Sequence, residues 1–380
     1  MPRHVVALIS PHPGVAADPV VDVSAGRLAV RSRRLAGGRR EGVLLVELVA
    51  GDTQVFILPD RGLGIWKMIC GGVELGWQSP VAGPVHPALV PLGEPSGLGW
   101  LDGFDELVAR CGLVSNGAPD FDTGGRLVHG LHGRIANLPA HELSVTLDEE
   151  AGTIALTGAV DETRFLIHAL RMETSLVLSA DRPRIAWTDT VTNLSARPAT
   201  MQLLYHVNLG PPLLGAGAEV VAAIDELAPR DATAVADVPT WNRYDAPRAR
   251  RAEDVHFARI RPDAAGLASA LLVAPDGAQA AGLSWRADTL PCFALWKNQG
   301  ALADGYVTGL EPATNHPNPR SFEESQGRVV PLGPGESVRF DLALEHLAGE
   351  RLAAARAAIT ALAAASPTIH ALPRSGWSAG

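Results

Sequence analysis

The chain of 380 residues carries a net charge of −9 and is 47% hydrophobic, which suits a large core and disfavours nucleic acid, because phosphate backbones are bound by clustered lysine and arginine. The three cysteines, Cys70, Cys111 and Cys292, are widely spaced and form no CxxC pair, which argues against a disulfide framework and a zinc knuckle. Apolar runs are too short for a signal peptide or a membrane span, so we expect a soluble, cytoplasmic protein without membrane contact.

The many glycines and prolines, 39 and 29 in number, predict frequent turns and short strands. Apolar runs at 42–49 and 54–58 flank an Ala-Gly-Asp-Thr turn and predict a hairpin. The stretch 80–99, dense in Pro and Gly, predicts a long surface loop or lid. From residue 141 onward, short strand-like runs alternate with turn residues. This spacing predicts an all-β protein whose strands form an antiparallel sandwich or barrel.

One helix is predicted, near the C-terminal end of the chain. Residues 348–365 are rich in alanine, with apolar residues at helical spacing before Ser366-Pro367, a combination that favours a helix and then stops it. The helix either packs against the sheets or joins two copies of the chain as a homodimer. Because no repeat or linker divides the chain, we expect one β-sandwich domain over 1–347, followed by a helix and tail over 348–380.

A single acidic residue in the stretch GLEPATN, Glu311, has no basic neighbour in sequence. Pro312 disfavours the helical region for the residue before it, so Glu311 is predicted to lie at a strand end or in an extended loop. The alternative is an exposed loop glutamate. A carboxylate held in an extended segment without an ordinary ion pair is a candidate for chemistry.

Two histidines in the stretch LVHGLHGRIANLPA, His129 and His132, are candidate ligand-binding residues. Gly130 and Gly133 remove side chains around the imidazoles and allow a ligand to come close. Arg134 adds a planar fork of donors suited to hydroxyls or carboxylates. Two structural loop histidines are the alternative. The H-x-x-H spacing without nearby carboxylates is a weak metal signal, so we expect no metal.

Further candidates stand near the ends of predicted strands. His206 and Asn208 share one strand face just before a Gly-Pro-Pro turn, a position where pockets form. A core histidine bonded to a carbonyl is the alternative. Trp296 and Lys297 end another strand, where the indole either offers a flat face to a ligand or belongs to the core. Arg61 stands between two turn signals beside an aspartate, and a ligand contact and a structural salt bridge are equally open.

The chain contains no dinucleotide fingerprint, P-loop, GxSxG elbow or HExxH motif. It does contain, in order over roughly residues 40–345, the stretches PDRGLGI, GFDELVARCGL, HGLHGRIANLPA, TDTVTNLSARPATMQLLYHVNLG, ALWKNQG and GLEPATNHPNP. These closely resemble an uncharacterised bacterial branch of the aldose 1-epimerase (galactose mutarotase-like) family. Compared with better-known mutarotases, Arg134 replaces a glycine after Leu-His-Gly, and His206 is displaced by two residues on the same strand face.

The resemblance implies a large antiparallel β-sandwich, the galactose mutarotase-like supersandwich, whose concave face binds a small-molecule sugar. It makes Glu311 the catalytic base and His206 the catalytic acid. We expect the two to face each other across a sugar-sized hollow, with the imidazole kept protonated by the nearby carboxylate. The substrate-binding candidates are His132, Arg61, Arg134, His129, Asn208, Trp296 and Lys297.

The activity implied by the resemblance is mutarotation, the interconversion of sugar anomers through ring opening. A base takes the proton of the anomeric hydroxyl while an acid protonates the ring oxygen, so the reaction needs no cofactor. Two alternatives remain open. One is a non-catalytic protein that binds or senses a carbohydrate. The other is an isomerase or lyase that acts on a keto, acidic or phosphorylated sugar.

Overall fold

Alternating apolar side chains put most of the chain into β-strands. The computed structural model describes residues 3–12, 19–363 and 366–379. The described strands, in chain order, are β1 Arg3–Ile9, β2 Asp22–Ala25, β3 Leu28–Arg34, β4 Leu44–Ala50, β5 Thr53–Leu58, β6 Gly64–Cys70, β7 Val73–Leu75, β8 Val108–Leu113, β9 Asp120–Phe121, β10 Leu127–His129, β11 Glu142–Asp148, β12 Thr153–Arg164, β13 His168–Ser179, β14 Arg182–Asn193, β15 Ala199–Leu209, β16 Glu219–Ala222, β17 Ile224–Pro229, β18 Asp254–Ile260, β19 Leu267–Val273, β20 Gln279–Arg286, β21 Cys292–Asn298, β22 Val307–Ala313, β23 Val330–Leu332, β24 Ser337–Ala348 and β25 Thr368–Ile369.

Helices are few and short among the described residues. The α-helices are α1 Arg320–Ser325 and α2 Gly349–Leu362. The 3-10 turns are Gly38–Arg40, Pro87–Leu89, Gly99–Gly103, Ile135–Asn137, Ala234–Thr240 and Leu302–Asp304. Within the described ranges, neither α-helix has the length and apolar character needed to cross a bilayer.

Two large sheets contain nearly all the described strands. The first has the order β1-β11-β12-β13-β14-β24-β20-β19-β16. The second runs β2-β3-β4-β5-β6-β8-β15-β22-β21-β18-β17-β25, with β7 beside β6 and β23 beside β15. Neighbouring strands pair antiparallel, apart from β25, which pairs parallel with β17. The prediction of an antiparallel all-β fold is confirmed.

The main core lies between the two sheets. In β13 every second side chain is buried, from Leu170 to Leu178, the pattern of a strand with one face on a core and one in solvent. These side chains pack with inward residues of the larger sheet, such as Val46 and Leu203, in one apolar cluster. The sheets therefore stack as a sandwich.

Strands β15 and β22 of the larger sheet are buried on both faces. Every residue of Val307–Ala313 is buried, as are Met201–Leu209. One face of these strands meets the main core, and a second apolar cluster that includes Trp100, Phe104 and Leu204 covers the other. Side chains on this outer face are consequently shielded from water although they lie outside the sandwich core.

The C-terminal helix α2 packs on the outer face of the smaller sheet, where Leu352 and Ile359 contact Leu271 and Leu347. The predicted helix over 348–365 is confirmed with tighter bounds, because Ala348 still belongs to β24. Residues 364 and 365 lie outside the described residues. The division of the chain into a domain over 1–347 and a tail stays a prediction.

Candidate active site

The register between two central strands brings His206 and Glu311 together. β15 and β22 are antiparallel neighbours in which Val207 pairs with Leu310, so one step along each strand sets His206 directly opposite Glu311. Val207 and Leu310 face the main core. Since successive side chains alternate between faces, His206 and Glu311 both project from the outer face as a cross-strand pair.

The two catalytic candidates touch each other. His206 Nε2 lies 3.2 Å from Glu311 Oε1, with the side chains 6% and 3% exposed. Oε1 has no aligned hydrogen-bond partner among the described residues and so retains acceptor capacity. A Cβ added at Gly309 would come within 2.3 Å of Oε1, so a larger residue at this position would push the Glu311 carboxyl group away from His206. The expected hollow between the two groups is wrong: they stand side by side on adjacent strands.

Asn208 holds the imidazole of His206 in one tautomer. Its Nδ2 donates to the backbone carbonyls of Glu106 and His206 at 3.0 and 3.1 Å, which turns Oδ1 toward His206 Nδ1 at 2.6 Å. An amide oxygen only accepts, so the Nδ1 proton is retained in both charge states of the ring. Nε2, which faces Glu311, is therefore the nitrogen that exchanges protons. Asn208 is fully buried, which corrects its predicted substrate-binding role to one of positioning His206.

Burial controls the charge of the pair. It raises the pKa of Glu311 well above its usual value, helped by Glu253 and opposed by Arg230. It also lowers the pKa of His206 well below its usual value, helped by His132 and opposed by the hydrogen bond that His206 donates to Asn208. Burial therefore opposes the expected protonation of His206 in this closed arrangement and favours the neutral form of each group.

Aromatic rings cover His206. The ring centroids of Phe104, Trp296 and His132 lie 5.0, 5.3 and 5.3 Å from its own, and Trp100 packs on both Phe104 and His132. Sequence reasoning did not find Trp100 and Phe104. The available signal was a pair of aromatic residues directly after the Pro- and Gly-rich stretch predicted to be a lid.

His132 lies beside the pair as a neutral imidazole. Its backbone has a φ of 57°, a conformation rarely adopted by a non-glycine residue and often found at functional sites. Nδ1 donates to the Asn116 carbonyl at 2.9 Å, leaving Nε2 as an acceptor. Burial lowers the pKa of His132 to about 4. The ring thus offers one lone pair to a hydroxyl group at neutral pH.

A polar rim adjoins the indole of Trp296. Trp296 Nε1 donates to Glu253 Oε2 at 2.6 Å, and Arg230 Nη2 donates to Glu253 Oε1 at 3.1 Å. The indole is therefore fixed in orientation while part of its surface stays exposed. Arg230 and Glu253 were not found from the sequence, where neither differs from other charged residues in loops.

Two predicted substrate-binding residues do not reach the pair. Arg61 is buried, with Nε donating to Glu106 Oε1 at 2.5 Å and Nη2 donating to the Gly103 carbonyl. Lys297 follows Trp296 on β21 and so faces the opposite side, where Nζ contacts Asp237 at 2.5 Å. Both predictions of ligand binding are corrected to structural ion pairs buried in the protein.

His129 and Arg134 lie away from the pair, in a separate cavity beyond the loop that carries His132. They line a volume of about 720 Å³ together with Glu162 and His168. The structure therefore separates the candidates of the HGLHGR stretch: His132 lies beside His206, and His129 and Arg134 lie in the separate cavity.

The sandwich defines the class of protein, which is a galactose mutarotase-like fold, here with a buried histidine–glutamate pair on one sheet. The chain belongs to the family described as Domain of unknown function (DUF4432), which matches residues 40–346. The resemblance inferred from the sequence stretches is confirmed at the level of the fold by solved structures. No curated protein sequence matches the chain.

Three solved structures show the likeness. One from Klebsiella pneumoniae subsp. pneumoniae, provisionally named an aldose 1-epimerase, is 29% identical with a TM-score of 0.93 over 98% of this chain and 99% of that one. A galactose mutarotase-like protein from Clostridium acetobutylicum is 17% identical, with a TM-score of 0.58 over 85% and 99%. Galactose 1-epimerase from Lactobacillus acidophilus is 13% identical, with a TM-score of 0.54 over 85% and 100%. The last two show the fold alone.

Proposed function

We propose that the chain is an aldose 1-epimerase-like enzyme that interconverts the anomers of a sugar by acid/base catalysis through ring opening. The observation that carries the proposal is the contact of 3.2 Å between His206 Nε2 and Glu311 Oε1. Both side chains project from one sheet face, so they can address two oxygens bonded to the same carbon. Mutarotation requires that arrangement, because the anomeric hydroxyl and the ring oxygen share the anomeric carbon.

The protons balance with a single proton on the pair. In ring opening, the Glu311 carboxylate takes the proton of the anomeric hydroxyl while protonated His206 Nε2 delivers one to the ring oxygen. The pair is then carboxylic acid and neutral imidazole, which is the state favoured by burial in the closed site. Rotation about the first C–C bond follows. In ring closure the neutral imidazole takes the proton of the former ring oxygen and Glu311 returns one to the anomeric oxygen.

The surroundings fit a sugar ring. Trp296 presents a partly exposed indole face beside His206, on which the C–H face of a pyranose can rest. His132 Nε2 accepts from a sugar hydroxyl, because its Nδ1 is already bonded to the Asn116 carbonyl. Substrate must displace the ring of Phe104 or Trp100, since these cover the pair in the closed structure. We propose that the segment 80–99 and the aromatic residues after it open as a lid.

Anomer exchange measured by magnetisation-transfer NMR tests the proposal on a panel of neutral aldoses, uronic acids and sugar phosphates. We expect the wild-type chain to accelerate at least one sugar. Glu311→Gln and His206→Asn should each lower the rate by about 10²- to 10⁴-fold, the usual contribution of one positioned acid or base. The matched controls are Glu323→Gln and His256→Asn, which alter a buried carboxylate and a buried imidazole away from the pair. These should retain the wild-type rate per folded molecule.

The same panel separates the alternatives. A chain that binds a sugar but accelerates no exchange would be a carbohydrate-binding or sensing protein. Incorporation of deuterium from solvent at a sugar carbon would show an isomerase or lyase, because mutarotation leaves carbon-bound hydrogens in place. Either result would contradict the proposed mutarotase activity.

A further inference from the structure

A cavity lies on the far side of the His132 loop from the His206–Glu311 pair. Its volume is about 720 Å³, which is sufficient for a small metabolite. The end of the β12–β13 hairpin, the β10 region and the loop near Leu92 border it, and one side is open to solvent. Its ionisable lining residues are Arg126, His129, Arg134, Glu162, Arg164 and His168. The ionisable part of the lining is thus mainly basic, although the chain as a whole has a net charge of −9.

Two of the guanidinium groups are available to a ligand. Arg126 is paired with Asp122 at 3.1 Å. Arg134 and Arg164 are exposed, and within residues 3–12, 19–363 and 366–379 neither side chain has a hydrogen bond or an ion pair within 4 Å. The charge of Arg134 nevertheless acts on the buried Glu162 carboxyl group and opposes the rise of its pKa. Glu162, the acidic lining residue, is buried and its Oε2 accepts from the Leu113 amide at 2.5 Å. It is therefore a buried part of the cavity wall, whereas the two arginines are exposed.

The cavity wall also holds polar atoms without partners. Ser115 Oγ and His168 Nε2 are both buried with no hydrogen-bond partner among the described residues, and both residues line the cavity. Buried polar atoms are usually paired, so two orphans at one cavity indicate a missing partner. A multiply charged oxyanion supplies several acceptors at once and would satisfy such donors.

The two imidazoles respond to an anion. Burial, followed by Arg320, lowers the pKa of His129. Burial, followed by Arg134 and Arg164, lowers the pKa of His168. Both rings are therefore neutral near pH 7. Asp120 and Glu324 oppose the lowering at His129. A negative ligand would raise the pKa of each ring and of Glu162, which burial already raises to about 7, so binding should take up protons.

We propose that this cavity is a binding site for the phosphate group of a small phosphomonoester, formed by Arg134, Arg164, His129 and His168 and separate from the catalytic pair. Arginine forks match phosphate oxygens in bidentate geometry. The second pKa of a phosphomonoester lies near 6, close to the pKa of imidazole. The ligand and the histidines therefore gain or lose a proton over the same pH range. The remaining volume and the apolar neighbours Leu92 and Ile167 accommodate the organic part.

The site does not depend on the proposed mutarotase activity. Arg134 is two residues from His132, but the backbone of this turn carries positive φ at His132 and Gly133 and directs the two side chains to different places. A ligand in the cavity is thus placed to influence the turn that holds His132. The binding test can be scored whether or not the chain catalyses anomer exchange.

Isothermal titration with glucose 6-phosphate, inorganic phosphate, glucose and glucuronate tests the proposal. We expect both phosphates to bind to wild type and to Glu311→Gln, and neither uncharged glucose nor glucuronate to bind at this cavity. Arg134→Gln and Arg164→Gln should each weaken phosphate binding about tenfold or more, whereas Arg33→Gln, at an exposed position of β3 outside the cavity, should not. Titrations in buffers of different ionisation enthalpy should show proton uptake at about pH 7.

Three outcomes would overturn the assignment. They are an absence of phosphate binding at millimolar concentration, equal weakening by Arg33→Gln, and loss of binding in Glu311→Gln with full retention in Arg134→Gln and Arg164→Gln. Tight glucuronate binding that is lost in the two arginine variants would show a carboxylate site and would likewise contradict a phosphate site.

Discussion

Replacing Asn208 with leucine should slow anomer exchange while leaving substrate affinity nearly unchanged. The amide accepts from His206 Nδ1 at 2.6 Å and donates to two backbone carbonyls at 3.0 and 3.1 Å. Leucine is similar in size but makes none of these bonds. The imidazole proton can then reside on either ring nitrogen, and only one tautomer leaves Nε2 free to exchange a proton with substrate.

The size of the effect follows from the broken bond. Leaving a buried polar partner unsatisfied costs about 1–3 kcal/mol. If the whole energy of the hydrogen bond between Nδ1 and Asn208 is lost in the transition state, kcat should fall by roughly 5- to 150-fold. KM should change little, because Asn208 is fully buried and has no surface to offer a sugar.

The assay is magnetisation-transfer NMR on the best sugar of the panel, combined with long-range ¹⁵N–¹H spectra of labelled histidine. Wild type should show the His206 proton on Nδ1, and Asn208→Leu should show a mixture of tautomers. Asn193→Leu is the control, because that buried amide also bonds to backbone carbonyls, but outside the site. An unchanged kcat in folded Asn208→Leu, or an equal loss in Asn193→Leu, would refute the tautomer argument.

Three further predictions concern charge. The pH profile of kcat/KM should be bell-shaped with a broad plateau, because activity needs one proton on the pair. The lowered pKa of His206 moves the acid limb to lower pH, and the raised pKa of Glu311 moves the alkaline limb to higher pH. A profile with one limb only would contradict this. Arg61→Met should lower the free energy of unfolding, measured in urea, by about 3–5 kcal/mol, because it leaves Glu106 buried without its ion-pair partner. Adding Glu106→Leu should restore part of that stability. Burial raises the pKa of Glu162 from 4.5 to about 7, so its contribution to stability is full below about pH 4.5 and is lost as the pH rises through about 7. The free energy of unfolding of the wild type should therefore decline by about 3 kcal/mol between about pH 4 and about pH 8.5 on account of this group, and Glu162→Gln should remove that decline. An unchanged pH dependence in the variant would contradict this.

Much of the fold could be predicted from the sequence because the strands carry a clear period of two. β13 shows that alternation along its length, and the alanine-rich C-terminal segment forms helix α2 as predicted. The pairing of strands within the sheets could not be predicted from local pattern, because β15 pairs with strands that lie about a hundred residues away in either direction. Such long-range register depends on the packing of the whole core.

The site was predicted in part, and strand parity explains the failures. His206 and Asn208 are two apart on one strand, so they share a face, as expected. Trp296 and Lys297 are adjacent on β21 and so cannot both face the same site. Arg61 was indistinguishable in sequence from a ligand-binding arginine, because its partner Glu106 is 45 residues away.

The aromatic cover could not be predicted, because it belongs to a loop placed by tertiary contacts. Trp100 and Phe104 follow a segment without regular strands, and their contacts are with residues on β15, on β21 and in the His132 turn. No local period reports which part of a sheet such a loop covers. The depth of burial at Glu311, and with it the raised pKa, follows from that cover.

A crystal structure of the chain with a bound aldose tests the central claim most directly. We predict that the sugar displaces Phe104 or Trp100 and that its anomeric carbon sits above the contact between His206 Nε2 and Glu311 Oε1. The anomeric hydroxyl should then lie within hydrogen-bond distance of one group, and the ring oxygen within the same distance of the other. A sugar bound with its anomeric carbon out of reach of both side chains would contradict the account.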